Sequence, residues 1–278
     1  HAFLSINMIS AILAAPVVGL IVDRIGKRQP IVVIAFVLDA LLLLSIKWAP
    51  SYAAMMALRF LEGITHIATL TGVMGAALTL AHRNPARSGG IMGAVGGSII
   101  FAVATGAGLG GALSTGGIHR PLVAAAMISL IGALVSGWVL WHDRRVRPTE
   151  GGRNPAELMR IIRKERATFI PCLFTFADRL LVGIMISSFN LYLVQTAGWS
   201  PKQFGFLMST LLIPFGLLCY PFGRLCRTWS KSFLIVAASL LYAIFVSLLG
   251  WIPTDWLFPS MLLLGIISAL NFSPSLAI

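Results

Sequence analysis

Long apolar runs alternate with short polar clusters along the whole chain. A helix needs about 20 mostly apolar residues to cross the hydrocarbon core of a membrane. Nine runs have about that length or more, and none contains more than two Asp, Glu, Lys or Arg residues. We therefore predict nine membrane-spanning helices, with the bounds 2–22, 30–48, 52–80, 89–114, 120–142, 168–196, 200–223, 231–252 and 255–277.

The longest polar connection, residues 143–167, separates five predicted helices from four. We predict an N-terminal helical bundle over 1–142, a basic linker over 143–167 and a C-terminal helical bundle over 168–278. Within the linker, Asn154 and Pro155 occupy positions typical of a helix cap and a first-turn proline. A short helix on the membrane surface and a solvated charged segment both fit this pattern.

The composition supports an all-α integral membrane protein. Hydrophobic residues make up 58% of the 278 residues, charged residues make up 11%, and the mean hydropathy is +0.90. A soluble protein carries about a quarter charged residues, because its surface faces water. A chain with so few charges must expose apolar surface to lipid, so we expect the lipid bilayer to surround it.

The cations are concentrated on one side of the predicted membrane. The connections at 23–29, 81–88, 143–167 and 224–231 contain 16 of the 21 Lys and Arg residues, whereas the opposite connections contain three. The positive-inside rule makes the cation-rich side cytoplasmic, and the linker with it. Orientation and anionic lipid account for the net charge of +12, so we expect no nucleic-acid partner. We expect a monomeric, multi-pass protein of a bacterial inner (plasma) membrane.

The sequence lacks the patterns typical of an enzyme or a metal site. Its three cysteines, Cys172, Cys219 and Cys226, do not have metal-ligand spacing. The chain contains neither a GxSxG sequence nor a phosphate-binding loop. We therefore expect no enzyme activity, no metal and no cofactor, and a membrane-embedded enzyme or sensor is the alternative class of function.

A weak internal repeat relates the two halves of the chain. Shifted by 204 residues, GLIVDRIGKR from Gly19 falls on GRLCRTWSKS from Gly223. Both segments lead from an apolar run into a cation-rich connection. Two related halves joined by a linker are typical of secondary transporters.

The first copy of this repeat resembles the cytoplasmic loop signature of the major facilitator superfamily, Gly-x-x-x-Asp-Arg-x-Gly-Arg/Lys-Arg/Lys. The matching residues are Gly19, Asp23, Arg24, Gly26, Lys27 and Arg28. RFLEG at 59–63 is similar to the Arg-x-x-x-Gly pattern of the fourth family helix. GAGLGGAL at 106–113 resembles the glycine-rich fifth-helix signature of the family's antiporters, without the proline usual after the third glycine.

The resemblance implies the major facilitator fold, in which two pseudo-symmetric helical bundles enclose a central cavity. In that family the loop signature joins the second and third of twelve helices. The nine predicted helices then correspond to family helices two to ten, and we expect a fragment that lacks the first helix and the last two. The chain also begins with His1 rather than Met.

The resemblance further implies a secondary active transporter that works by alternating access. We expect a small organic solute as substrate and the proton as coupling ion. The antiporter-like glycines favour efflux. The alternative is proton-coupled uptake, or facilitated transport, of a sugar, an organic acid or another metabolite.

The loop signature is expected to act as a cytoplasmic gate. In the family, the residue that corresponds to Asp23 meets the positive N-terminal end of the eleventh helix. We predict that Asp23 and Arg24 hold together helices that separate during transport. For Lys27 and Arg28 the alternative is that they serve mainly to set the orientation in the membrane.

A charged residue inside a membrane span costs about 2.5–3.5 kcal/mol on insertion scales and therefore indicates a function or a buried pair. On the third predicted helix Arg59, Glu62 and His66 lie within about 60° of one another. Glu62 can thus pair with Arg59 and with His66. We predict a transport or coupling site in which Glu62 and His66 exchange protons; a local ion cluster that only neutralises Arg59 is the alternative.

Further charges lie in the second and sixth predicted helices. Asp178 and Arg179 are predicted transport or coupling residues, each with a partner on another helix, because adjacent residues point about 100° apart. For Asp39 we expect an interhelical pair rather than a transport role.

Polar and small residues complete the set of candidates. Asn190, Tyr192 and Gln195 are possible substrate contacts, and positions at the membrane interface explain them equally well. Close helix packing is the expected role of four glycines with suitable spacing, Gly93, Gly97, Gly106 and Gly110.

Overall fold

The computed structural model describes residues 2–117, 119–142, 180, 183, 188–225 and 228–276. These residues contain eight long α-helices and no β-strand. In chain order the helices are α1 Ala2–Ile25, α2 Arg28–Ile46, α3 Tyr52–Arg83, α4 Ser88–Ser114, α5 Arg120–Val139, α6 Pro201–Leu225, α7 Lys231–Leu248 and α8 Leu257–Leu276.

Each of the eight helices coincides with a segment long and apolar enough to cross a membrane. They match eight of the nine predicted spans. The remaining predicted span, 168–196, lies mostly outside the described residues, and its described end is a π-helical turn at Tyr192–Thr196. The predicted helix of the linker also lies outside the described residues.

The outer faces of the helices carry large apolar side chains, as lipid contact requires. Ile12 is 72% exposed and Leu134 is 76% exposed, both more than one turn from the nearest helix end. Tryptophans lie exposed close to the helix ends, where amphipathic rings favour the membrane interface. The exposed ones are Trp48, Trp138, Trp141, Trp229, Trp251 and Trp256.

The chain folds into two compact units, and the first consists of α1, α2, α5 and most of α3. Here α2 and α5 run antiparallel. A Cβ atom on Gly132 would lie 2.9 Å from the Phe36 ring, which shows how closely the two helices approach. At one end of the pair the Gln29 amide donates a hydrogen bond of 2.8 Å to the Gly137 carbonyl oxygen. The start of α2 therefore lies beside the end of α5.

The second unit consists of α4, α6, α7, α8 and the last two turns of α3. Its most extensive helix contact is between α4 and α6, where backbones meet with almost no side chain between them. A Cβ atom on Gly97 would lie 2.5 Å from the Gly216 carbonyl oxygen, and one on Gly223 would lie 2.7 Å from the Gly89 carbonyl oxygen. We call this contact the glycine face.

The glycine face shows that α4 and α6 are antiparallel. Gly89 meets Gly223 at one end, and Gly111 meets Gly205 at the other. The connections after α3 and after α6 therefore lie at the same end of this helix pair. Both belong to the predicted cation-rich side, in agreement with the orientation inferred from the sequence.

Only two of the four glycines that were predicted to pack against another helix belong to the glycine face. Gly93 and Gly97 do, but no described atom lies within 4 Å of a Cβ built on Gly106 or Gly110. Gly108 and Gly111 take their place, because the contact continues from Gly97 in steps of three or four residues. Gly106 and Gly110 are each two residues from Gly108 and therefore point to the other side of α4.

The glycine face also affects the division of the chain. Helix α4 precedes the linker, yet it packs with α6, which follows the linker. The two compact units therefore do not coincide with the predicted bundles 1–142 and 168–278, whose bounds stay a prediction.

The two copies of the internal repeat differ in conformation. Gly26, just after α1, has φ of 64°, whereas Ser230 in the second copy has φ of −62°. A Cβ atom on Gly19 would have no described atom within 4 Å, but Gly223 contacts α4. The second copy has thus lost the turn geometry of the first, and its glycine serves helix packing.

Candidate functional site: a polar network in the first unit

A group of polar side chains from α1, α2, α3 and α5 meets inside the first unit. At its centre is Glu62, a residue of α3 that is only 6% exposed. The Arg59 guanidinium, one turn earlier on the same helix, lies 2.7 Å from Glu62 Oε2 and forms an ion pair with it. The Asn7 side-chain amide of α1 donates a second hydrogen bond to the same oxygen.

Gly63 makes this arrangement possible. A Cβ atom at this position would collide with the Ser10 hydroxyl and with the Asn7 carbonyl group, so only glycine allows α1 to lie this close to α3. Ser10 in turn donates a hydrogen bond of 2.8 Å to the Asn7 carbonyl oxygen. The Arg-x-x-x-Gly segment thus supplies both the cation that pairs with Glu62 and the space that lets Asn7 reach it.

The Arg59 side chain is held from two directions. Its guanidinium carbon lies 4.8 Å from the centre of the Phe3 ring, which is a cation–π contact. Its Nη1 donates to Glu62, while its buried Nε has no acceptor among the described residues. Arg59 therefore retains one buried donor beside the Glu62 carboxylate.

The network continues from α3 to α2 and α5. The Ser129 hydroxyl of α5 donates a hydrogen bond of 2.7 Å to Asp39 Oδ2. The Thr65 hydroxyl lies 3.3 Å from Asp39 Oδ1 and 2.8 Å from the Glu62 backbone oxygen. Asp39 therefore has the interhelical partners expected for it, on both neighbouring helices.

The structure differs from the sequence prediction at His66. Its side chain is exposed and makes no hydrogen bond or ion pair with a described residue. The predicted pairing of Glu62 with His66 is absent because the Glu62 carboxylate binds Asn7 of α1 and Arg59 of α3 instead, both through its Oε2 atom.

The remaining predicted site residues are not brought into this network. Asp178 and Arg179 lie outside the described residues. The side chains of Asn190, Tyr192 and Gln195 are exposed, at the beginning of the π-helical turn and within it.

The loop signature forms a sharp turn between α1 and α2. Gly26 adopts left-handed backbone geometry, and its N–H donates to the Val22 carbonyl oxygen at 3.1 Å, which ends α1. Arg24 and Lys27 are exposed. The Arg28 guanidinium lies against Gly75 of α3, where a Cβ atom would come within 3.0 Å of its Nε. The Asp23 side chain lies outside the described part of the structure.

Sequence reasoning found Arg59 and Glu62 but not the uncharged members of the network. Asn7, Ser10, Thr65 and Ser129 are small polar residues inside apolar runs, and that is the signal by which they could have been found. The described residues contain no group of three His, Cys, Asp or Glu side chains that could bind a metal ion.

Comparison with known proteins agrees with the fold and with the loop signature. The family model described as Major Facilitator Superfamily matches residues 1–278, the whole of the chain. None of the curated protein sequences matches it significantly. Eight apolar helices and this family match define an integral, multi-pass membrane protein. The chain belongs to the Major Facilitator Superfamily, a family of secondary transporters of small solutes rather than of enzymes.

Proposed function

We propose that this protein is a proton-coupled transporter of a small organic solute and that Glu62 is its coupling residue. The observation that carries the proposal is the burial of the Glu62 carboxylate inside a membrane-spanning helix, three turns from its start, where Arg59 and Asn7 bind it. Ionisable groups at this depth are expensive, and in membrane proteins they mark ion and substrate pathways. A carboxylate that gains and loses a proton changes the net charge of its surroundings, which supplies a reason for helices to rearrange.

We further propose efflux as the direction of transport. Its support is the glycine face, to which the antiporter-like segment 106–113 contributes Gly108 and Gly111. An efflux protein of this kind exchanges the solute for protons, so the two move in opposite directions. Uptake predicts that they move together.

The test uses the protein reconstituted in proteoliposomes with a trapped pH-sensitive dye. Organic cations, sugars and monocarboxylates are added one class at a time, and the dye records any proton movement that a solute drives. We expect one class to move protons, in the direction opposite to the solute. The Glu62→Gln variant should lose this proton movement and still exchange labelled solute across the membrane.

The control is Asp255→Asn, which makes the same chemical change at an exposed residue just before α8. It should behave like the unaltered protein. Solute flux that does not respond to an imposed pH gradient would refute proton coupling. Proton movement in the same direction as the solute would favour uptake.

A further inference from the structure

Asp39 places a second carboxyl group beside Glu62. The Thr65 hydroxyl connects the two residues, since it lies within hydrogen-bonding distance of Asp39 Oδ1 and of the Glu62 backbone oxygen. The side chain of Thr65 thus joins the two carboxyl-bearing residues in one network. A carboxyl group that carries a proton can donate a hydrogen bond, whereas a carboxylate can only accept one.

The charges around the two carboxyl groups do not balance without such a proton. Arg59 is the one cationic side chain that forms an ion pair with either carboxyl group among the described residues, and the exposed His66 side chain makes none with them. From α1 and α5 come only uncharged groups, those of Asn7, Ser10 and Ser129. With both carboxyl groups ionised the network carries a net charge of −1, and with one proton it is neutral. Neutrality is strongly favoured inside a membrane.

The hydrogen bonds leave one oxygen of each group for the shared proton. Arg59 and Asn7 both donate to Glu62 Oε2, and Glu62 Oε1 accepts no hydrogen bond from an N–H or hydroxyl group of the described residues. On Asp39, Ser129 donates to Oδ2 at 2.7 Å, while Oδ1 has only the longer contact with Thr65. Glu62 Oε1 has no donor among the described residues, and Asp39 Oδ1 has only a weak one. These two oxygens are therefore available to the proton.

We propose that Asp39 and Glu62 share one proton and together form the proton-binding site of this protein. The role of the pair in transport rests on the proposed function, whereas the shared proton is a property of the resting protein. Removal of either carboxyl group leaves one carboxylate opposite Arg59. That network is already neutral and has no need of a proton.

Infrared spectroscopy of the reconstituted protein at neutral pH tests the shared proton directly, because a protonated carboxyl group has its own C=O stretching band. We expect Asp39→Asn and Glu62→Gln each to abolish the same band. Asp255→Asn should leave the band unchanged. Ser129→Ala keeps both carboxyl groups and should retain the band but shift it, since Asp39 loses its strongest donor.

A folded Asp39→Asn variant that keeps the band at full intensity would overturn the shared proton. Should that variant fail to fold, an unshifted band in Ser129→Ala would overturn it equally. If sodium chloride abolishes the band at constant pH and choline chloride does not, the site binds a metal cation in place of the proton, and the assignment as a proton site fails.

Proton movement driven by solute separates this inference from the proposed function. If both carboxyl variants lose the band and no solute moves protons in the unaltered protein, the shared proton stands and proton coupling fails. If Asp39→Asn keeps both the band and the proton movement, proton coupling stands and Asp39 has no part in it.

Discussion

Gly26 and Gly63 each occupy a position where a Cβ atom is unfavourable. Gly63 leaves the space through which Asn7 reaches Glu62, and Gly26 adopts φ of 64° where α1 ends. The first role is steric and the second conformational. At Gly63 the missing Cβ atom lets a polar neighbour approach, and at Gly26 it allows the turn that ends α1.

Replacement of Gly26 by alanine should destabilise the protein by about 1–2 kcal/mol, because left-handed geometry brings a Cβ atom too close to the following carbonyl oxygen. The melting temperature in detergent measures the effect. Gly19→Ala is the matched control, since Gly19 lies inside α1 with no described atom within 4 Å of the added group. It should leave stability unchanged or raise it by up to about 1 kcal/mol. Equal losses in the two variants would contradict the role of the Gly26 turn.

At the residue scale, sequence reasoning succeeds for contacts within one helix. The pairing of Arg59 with Glu62 follows from a spacing of three residues, and the ion pair confirms it. The contact of Asn7 with Glu62 joins two helices, and helical periodicity does not determine which helices are neighbours. The same reason explains why the predicted contact of Glu62 with His66 is absent. A spacing of four residues permits this contact, but Asn7 of another helix binds the Glu62 carboxylate.

At the scale of helices, the most informative contact is the glycine face between α4 and α6. In a membrane the lipid is as apolar as the helix surface, so close van der Waals packing must hold helices together. Glycines on both helices bring the backbones into direct contact over most of their length. Stability of the second unit therefore depends on positions that carry no side chain.

Gly97→Ala should lower stability by about 1–3 kcal/mol, because the added methyl group collides with the Gly216 backbone and forces the helices apart. Gly106→Ala adds the same group to the same helix on a side without described neighbours, and we expect no loss. Thermal unfolding of the two purified variants in the same detergent gives the comparison. A larger loss for Gly106→Ala than for Gly97→Ala would show that the glycine face has been misplaced.

The helices themselves were largely predictable, because the length of apolar runs is set by membrane thickness. Their ends were less so. Helix α3 continues to Arg83, beyond the predicted end at residue 80, and α7 ends at Leu248, before the predicted residue 252. Charged residues can extend a helix past the membrane, and an apolar run can include a turn, so hydropathy alone does not mark these ends.

At the scale of the whole molecule, the placement of cations and the antiparallel helix pairs support one orientation. In the second unit, the contact of Gly89 with Gly223 brings together two helix ends that lie next to cation-rich connections. In the first unit, the hydrogen bond from Gln29 to Gly137 does the same. Each unit alone agrees with the positive-inside rule. Helix α3, with 32 residues, is about 48 Å long and therefore connects the two sides of the membrane.

Cysteine labelling tests this orientation. Ser51→Cys and Arg87→Cys introduce exposed thiols before and after α3, in a background where Cys172 and Cys226 are replaced by serine and the buried Cys219 is kept. A membrane-impermeant maleimide should label the Arg87→Cys variant only from the cation-rich side and the Ser51→Cys variant only from the other. Ser200→Cys, before α6, should follow the Ser51→Cys variant. Labelling of the first two variants from the same side would contradict the assignment.

The sequence predicted the family and each of the eight described helices, but not the division into units. Charge counts and the loop signature are local properties of the chain, and they lead directly to the orientation and the resemblance. The association of α4 with α6 depends on glycines more than 90 positions apart that happen to face each other. Periodicity within a single helix contains no information on such a partner.

A contact made of backbone atoms responds steeply to distance. Association through leucines freezes side-chain rotamers at a cost of about 0.5–1 kcal/mol each, whereas glycine has no rotamer to lose. The attraction between α4 and α6 is therefore mostly dispersion between atoms of fixed position, and a gap of about 0.5–1 Å removes a quarter to a half of it. Flexible side chains could bridge such a gap, but glycines cannot. The association of the two helices is thus strong at full contact and falls by up to about half when they separate by about 1 Å.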